Sequence, residues 1–164
     1  MIKHILFPSD ASQNSHQAFR HLVMLAKTLH SKITLLHNYA LLNLSNTESL
    51  DGLESDGASL QEIESQLKVK GLKELKRLKK ILESESIACE LHQVRGHVGE
   101  QIIKTARDHS VDLILMGSRG LDSLDSFTQG SSSTYVLHNS ECPVLIVPLP
   151  VTEINKYPDS RGFL

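Results

Sequence analysis

Val111-Asp112-Leu113-Ile114-Leu115-Met116-Gly117-Ser118-Arg119-Gly120 is an apolar run of strand length that empties into two glycines. Nine residues separate Gly120 from a third glycine, Gly130, which heads the run Ser131-Ser132-Ser133. A strand, a glycine loop and a Ser-rich helix start place small residues where backbone must approach a ligand closely, and they aim N–H groups at an anion. The unit reads as a phosphate cradle. The competing reading is a turn and a helix cap, which use Gly and Ser for purely local reasons.

Four further apolar runs share the character of residues 111–116: residues 2–8, 33–39, 89–94 and 143–147. Most are rich in Ile, Leu and Val without clean alternation, as expected of strands buried on both faces. Helical patterns separate them, and this alternation predicts an α/β fold, an open five-stranded parallel sheet with helices on both faces. The first helix is expected to start near Ser12 or Ser15, either of which can cap it, and to bury Ala18, Leu22, Leu25, Ala26 and Leu29. The second and longest aligns Leu60, Ile63, Leu67, Leu75, Leu78 and Leu82, with Gly71 on the same stripe where close packing against the sheet would explain it. Its lysines, Lys68, Lys70, Lys73, Lys76, Lys79 and Lys80, are interspersed with Glu62, Glu64, Glu74, Glu83 and Glu85, so they read as a solvated face rather than an anion patch. A third helix over residues 99–109 buries Ile102, Ile103 and Ala106. A fourth, from Gly130, turns Tyr135, Val136 and Leu137 towards the core. Residues 41–59 form a polar, acidic loop, functional or disordered, and residues 151–164 read as a tail behind a domain of residues 1–150.

A chain of 164 residues suits one domain, able to bury about 70% of the surface its unfolded form exposes. The net charge of -2 and a pI near 6.5 supply no broad basic field, which argues against nucleic acid as a partner. No apolar run reaches the length of a membrane span and no signal peptide is evident, so no membrane partner and a cytoplasmic location are expected. Cys89 and Cys142 lack metal-ligand spacing and read as buried thiols. Nine histidines show neither Cys-rich nor His-Glu-x-x-His spacing. Ser131, His138 and Asp10 would make a hydrolytic triad on paper, but Gly-x-Ser-x-Gly is absent and Ser131 is better explained as a ligand at a helix start. No persuasive catalytic set emerges.

In open parallel sheets, ligands bind beyond the carboxyl ends of the strands where strand order reverses. The segments that matter are then Pro8-Ser9-Asp10-Ala11-Ser12, Asn38-Tyr39 and the glycine loop. Asp10 has two readings: an acceptor for sugar hydroxyls or a metal ligand, and a cap for the first helix.

Three features together resemble the universal stress protein family, in its ATP-binding subgroup, over most of residues 2–148. Gly117-x2-Gly120-x9-Gly130-Ser131 fits the family's nucleotide motif; Phe7-Pro8-Ser9-Asp10-Ala11-Ser12 resembles its first strand end; and Cys142-Pro143-Val144-Leu145-Ile146-Val147 resembles its last strand. The resemblance implies a doubly wound sheet of order 3-2-1-4-5, the adenine nucleotide alpha hydrolase-like fold, and a homodimer built on the last strand from Pro143 to Pro148. It implies ATP, or AMP, as ligand. Asp10, preceded by Pro8 and Ser9, would lie near the adenosine portion. Asn38 would stand beside the base through its backbone, and Met116 and Gly117 would border ribose and phosphates. Gly120, Gly130, Ser131 and Ser132, continued by Ser133, would enclose the phosphate chain, with Arg119 either neutralising it or solvated. The nine-residue insert between Gly120 and Gly130 carries Asp122 and Asp125, where related loops often carry neutral or basic residues. They are read first as solvent-facing; otherwise Mg2+ or Mn2+ bridges Asp10, Asp122 or Asp125 to phosphate, or a less charged nucleotide is preferred. The His-x-Gly-His and Ser-Gly-Gly-x-Asp signatures of related nucleotide-transferring enzymes are absent after the first strand. The expected function is an ATP-binding, nucleotide-responsive regulatory dimer in stress response that engages a protein partner. The alternatives are an interaction protein with an emptied pocket and a slow ATP-hydrolysing switch.

Overall fold

The structure is a computed structural model that describes residues 1–10, 13–39, 60–118 and 132–148. Its elements are β1 (His4–Pro8), α1 (Gln13–Leu29), β2 (Lys32–Asn38), α2 (Leu60–Ser84), β3 (Cys89–Val94), α3 (Val98–Asp108), β4 (Leu113–Gly117), α4 (Ser132–Asn139) and β5 (Val144–Val147). Every strand pairing is parallel and the order is β3-β2-β1-β4-β5. The five apolar runs therefore make the expected doubly wound sheet.

Register assigns each side chain its face. Ile5 pairs with Ile33 and Leu113, and Leu6 with Thr34 and Ile114. Ile5, Phe7, Ile33, Leu35, Leu113 and Leu115 consequently pack under α1 and α2, against Ala18, Leu22, Ala26, Leu75, Leu78 and Leu82. Leu6, Leu36, Ile114 and Met116 face the other way, against Val98, Ile102 and Ala106 of α3 and Val136 of α4. β1, central in the sheet, is buried along its whole length, whereas the edge strands β3 and β5 are only partly covered. The lysines of α2 are mostly exposed, as a solvated face requires.

Gly71 lies buried on the apolar stripe of α2, and the space a side chain would need there is filled by the imidazole of His37 from β2. A glycine at this point allows helix and sheet to approach closely. On α4, Val136 enters the core and Tyr135 is half-buried, but Leu137 is 52% exposed, contrary to its expected inward direction. The helical turn that buries Val136 rotates its immediate neighbour by about 100°. Ile103 is only partly buried, and Cys89 and Cys142 are half-buried free thiols. Burial pushes the Cys89 thiol up to about 12, which keeps it protonated and unreactive near neutrality.

Ser15 lies within α1 rather than capping it, and Ser12 lies outside the described residues. The C-terminal ends of α1, α2 and α3 follow one geometry. His30, Ser86 and Ser110 take positive φ (53, 60 and 48°), and the next N–H in each case bonds back to the carbonyl five residues earlier, as Ser31 to Ala26, Ile87 to Leu82 and Val111 to Ala106. This is the Schellman stop, here without the usual glycine.

β1 and β4 begin at His4 and Leu113, later than the apolar runs suggest, and Asp112 clasps the two strands at these ends. Its Oδ2 accepts the backbone N–H of Lys3 at 2.7 Å and that of His4 at 3.0 Å, and its own N–H donates to the His4 carbonyl at 2.9 Å. These bonds to Lys3 and His4 hold the Asp112 carboxyl below its ordinary value of 3.8. A depressed folded pKa means stabilisation that is complete above the ordinary value and is lost as pH falls through the folded one. Asp112→Asn is therefore expected to melt below wild type at pH 7, and the gap should start to narrow below pH 3.8 and close as pH falls through the lower folded value. A gap independent of pH would show that the carboxylate charge plays no part.

Candidate functional site

Strand order reverses between β1 and β4: the chain winds outward from β1 through β2 to β3, then returns to the other side of β1 as β4. The helices after β1 and β4 leave in opposite directions and open a crevice beyond the carboxyl ends of these strands. Pro8, Ser9 and Asp10 stand at the end of β1, and Met116 and Gly117 at the end of β4. Ser132 and Ser133 begin α4, whose amino end lies on the same side of the sheet because the helix runs antiparallel to the strands it connects. The topology thus brings these seven sequence-derived candidates to one end of the molecule. Arg119, Gly120, Gly130 and Ser131 lie outside the described residues, as do Asp122 and Asp125.

The floor of the crevice is held by hydrogen bonds. Ser9 is buried; its N–H donates to the Leu36 carbonyl at 2.8 Å, and its carbonyl accepts the His37 ring at 3.1 Å. Its hydroxyl meets that of Ser15 at 2.8 Å, which ties the strand end to the first turn of α1. Asp10 follows at the lip, partly exposed. Met116 is buried and Gly117 half-buried, and β4 hands on to the loop at Ser118, whose N–H donates to the Val147 carbonyl at 2.9 Å. Asn38 ends β2, one strand further out. Its side-chain amide donates to the Gly96 carbonyl at 2.7 Å, and the next N–H, of Tyr39, donates to the Val94 carbonyl at 3.1 Å. Asn38 therefore fastens the turn between β3 and α3 with its side chain. His138 is exposed on α4.

Two residues under the site had no distinguishing sequence signal. Ser15 was legible only as a cap, and His37 as one histidine among nine. The ring of His37 is buried with Nδ1 committed to the Ser9 carbonyl, and Nε2 has no hydrogen-bond partner among the described residues. Since the carbonyl only accepts, Nδ1 carries the proton. The anomalous Gly71 was the one visible trace of this ring.

The chemistry of the crevice suits a small anionic ligand with hydroxyl groups. The opening turn of α4 presents backbone N–H groups and the positive end of its dipole. The partly exposed Asp10, after the end of β1, offers a carboxylate that can accept hydrogen bonds, while Met116 at the end of β4 is buried in the core under α3 and α4.

Comparison with known proteins agrees with this geometry. The family model described as "Universal stress protein family" matches residues 1–148. Universal stress protein MJ0577 of Methanocaldococcus jannaschii is 34% identical over 155 residues, covering 90% of this chain and 95% of the relative. Universal stress protein MJ0531 of the same organism is 30% identical over 153 residues, covering 93% and 86%. The solved structure of MJ0577 superposes with a TM-score of 0.74 at 28% identity, covering 92% of this chain and 98% of that one. A universal stress protein family member from Arabidopsis thaliana with AMP bound (TM-score 0.62, 16% identity, 96% and 97% covered) and a universal stress protein in complex with cAMP (0.61, 18%, 90% and 97%) share the fold.

Proposed function

We propose that this chain, which belongs to the universal stress protein family, binds ATP in the crevice between β1 and β4 and uses nucleotide occupancy to regulate a homodimer in stress response. The observation that carries the reading is positional. The Gly117-x2-Gly120-x9-Gly130-Ser131 spacing leaves from the end of β4, at the point where strand order reverses. The nucleotide-bound neighbours of the same fold support an adenine nucleotide as the ligand class.

In this reading the chain's own groups divide the work. Backbone N–H groups of the glycine loop and of Ser131, Ser132 and Ser133 receive the phosphates, and Arg119 offsets their charge. Asp10 accepts a hydrogen bond from the ribose, Met116 and Gly117 border the sugar, and the Asn38 backbone faces the base. Mg2+ or Mn2+, when bound, would screen the phosphates from Asp10, Asp122 and Asp125. The dimer would form along β5, an edge strand that no other described strand pairs on its outer side and whose Leu145 is 39% exposed. Such an edge is a template for another chain. Residues 1–150 would be the nucleotide-binding unit, working in the cytoplasm. AMP is the alternative ligand, and slow hydrolysis of ATP requires only water at the phosphate end.

A second reading is favoured by Asp122 and Asp125 alone. Their charge would empty the pocket and leave a module that only recruits protein partners. Isothermal titration of nucleotide-stripped protein with ATP, with and without Mg2+, separates the two. Saturation near one ATP per chain is expected, and sedimentation of the same sample reports whether occupancy changes the dimer. No heat at millimolar ATP would transfer the assignment to the interaction module.

A further inference from the structure

Away from the ligand crevice, β3 and the end of α3 bring three metal-ligand side chains together. Glu90 and His92 are two apart on β3 and share the face covered by α3, where they stand in register with Thr34 and Leu36 of β2. His109 is the C-cap of α3, and its ring meets that of His92 edge-on with centroids 4.5 Å apart. One ligand atom from each of Glu90, His92 and His109 lies within 4.8 Å of the other two. We propose that Glu90, His92 and His109 form a binding site for a divalent transition-metal ion, zinc above all, that clamps the edge strand β3 to the end of α3.

Mutual hydrogen bonding does not explain this cluster. His92 Nε2 and Glu90 Oε2 are 3.9 Å apart, beyond hydrogen-bond reach, and neither imidazole makes a hydrogen bond to a described residue. Two half-buried rings that make no hydrogen bond to a described residue, one of them 3.9 Å from the carboxylate they face, have the composition that suits zinc, nickel or copper. Around a tetrahedral zinc with bonds near 2.0 Å, ligand atoms stand about 3.3 Å apart, so closure needs a contraction of at most about 1.5 Å. All three side chains are partly or largely exposed, so side-chain rotation is the movement this contraction calls for.

The backbone beneath is already fixed. β3 is paired with β2 from Cys89 to Val94. The carbonyl of His109 accepts the Nδ1–H of buried His4 at 3.1 Å, while His4 Nε2 accepts the Thr34 hydroxyl at 2.8 Å. His4 thus positions the cap that carries His109, with both of its own nitrogens occupied. Three protein ligands leave a fourth tetrahedral position for water, the pattern of an open zinc site.

The test titrates untagged, chelator-treated full chain with Zn2+ by calorimetry, and with Co2+ by visible absorption, in the absence of nucleotide so that no phosphate-bound cation contributes. About one Zn2+ per chain and an intense Co2+ spectrum typical of tetrahedral ligation are expected. Changing an outer partner of a metal ligand costs about 10–100-fold in affinity, so His92→Ala and His109→Ala should each weaken Zn2+ at least as much. Glu90→Gln should weaken it as well, whereas His21→Ala, on the exposed face of α1, should bind as wild type. Thermal scans of the same proteins should show a Zn2+-dependent rise in Tm that His92→Ala abolishes. Absence of saturable binding, equal loss in His21→Ala, or unchanged binding in the His92→Ala/His109→Ala double variant would overturn the site.

Discussion

Gly71→Ala is expected to lower the melting temperature, although the same exchange in an unconstrained helix would raise it. Inside a helix alanine is favoured over glycine by about 1 kcal/mol. Here the new Cβ would lie 2.0 Å from both Cδ2 and Nε2 of His37, and 2.6 Å from Cε1. The ring cannot yield cheaply, because it is 8% exposed on an inner strand and its Nδ1–H is bonded to the Ser9 carbonyl. Overpacking costs about 1–3 kcal/mol, and breaking the bond to Ser9 adds about 1 kcal/mol. Set against the propensity gain, these give a net loss of about 2 kcal/mol, or a fall in Tm of roughly 4–8 °C for a domain of this size. In a His37→Ser background the obstacle is gone, and Gly71→Ala should then stabilise. A rise in Tm on introducing Gly71→Ala into the wild type would refute the contact. Because Ser9 forms the crevice floor, ATP affinity should fall with stability in Gly71→Ala and recover less fully than stability in the double variant.

Gly120→Val and Gly130→Val are expected to weaken ATP by about a hundredfold or more while leaving Tm near that of wild type. Each hydrogen bond to a charged group contributes about 1.5–3 kcal/mol. A branched side chain in the cradle that holds backbone away from phosphate removes about two of them, and 2.8 kcal/mol is about a hundredfold in affinity. The strands and the residues that pack on them are unchanged in both variants, so the sheet is expected to be indifferent to the change. Titration of both variants beside the wild type, with a thermal scan of each, decides the matter. Normal ATP binding by both would remove the glycine loop from the phosphate site even if the protein binds nucleotide elsewhere.

Much of the architecture was legible before any coordinates. The strands came from unbroken runs of Ile, Leu and Val, and the long helix from the spacing of Leu75, Leu78 and Leu82, all three of them buried. The order of the strands came from the family resemblance rather than from periodicity, and it is the order observed. The helix expected over residues 99–109 is observed as Val98–Asp108, while the carboxyl ends of the two helices before it went unassigned because their stops at His30 and Ser86 dispense with glycine. Leu137 was assigned inward on hydrophobicity alone, yet its neighbour Val136 takes the buried position. Pro8, Ser9, Asp10, Met116 and Gly117 could be placed at the ends of their strands because strand ends and glycines are local signals. Ser15 and His37, which brace the floor from below, carry no such signal.

Local pattern by itself determined which segments are strands and helices and that the sheet is covered on both faces, and it marked the glycine loop as the candidate for an anion. These properties depend on residues a few positions apart, so they are written in periodicity and spacing. The tertiary structure alone decided which distant residues meet: His37 beneath Gly71, Asp112 across the amino ends of β1 and β4, and His109 beside Glu90 and His92. Each meeting depends on parallel register and on helix rotation. A slip of one residue in a strand turns its side chains to the opposite face, and no local pattern specifies which partner waits there.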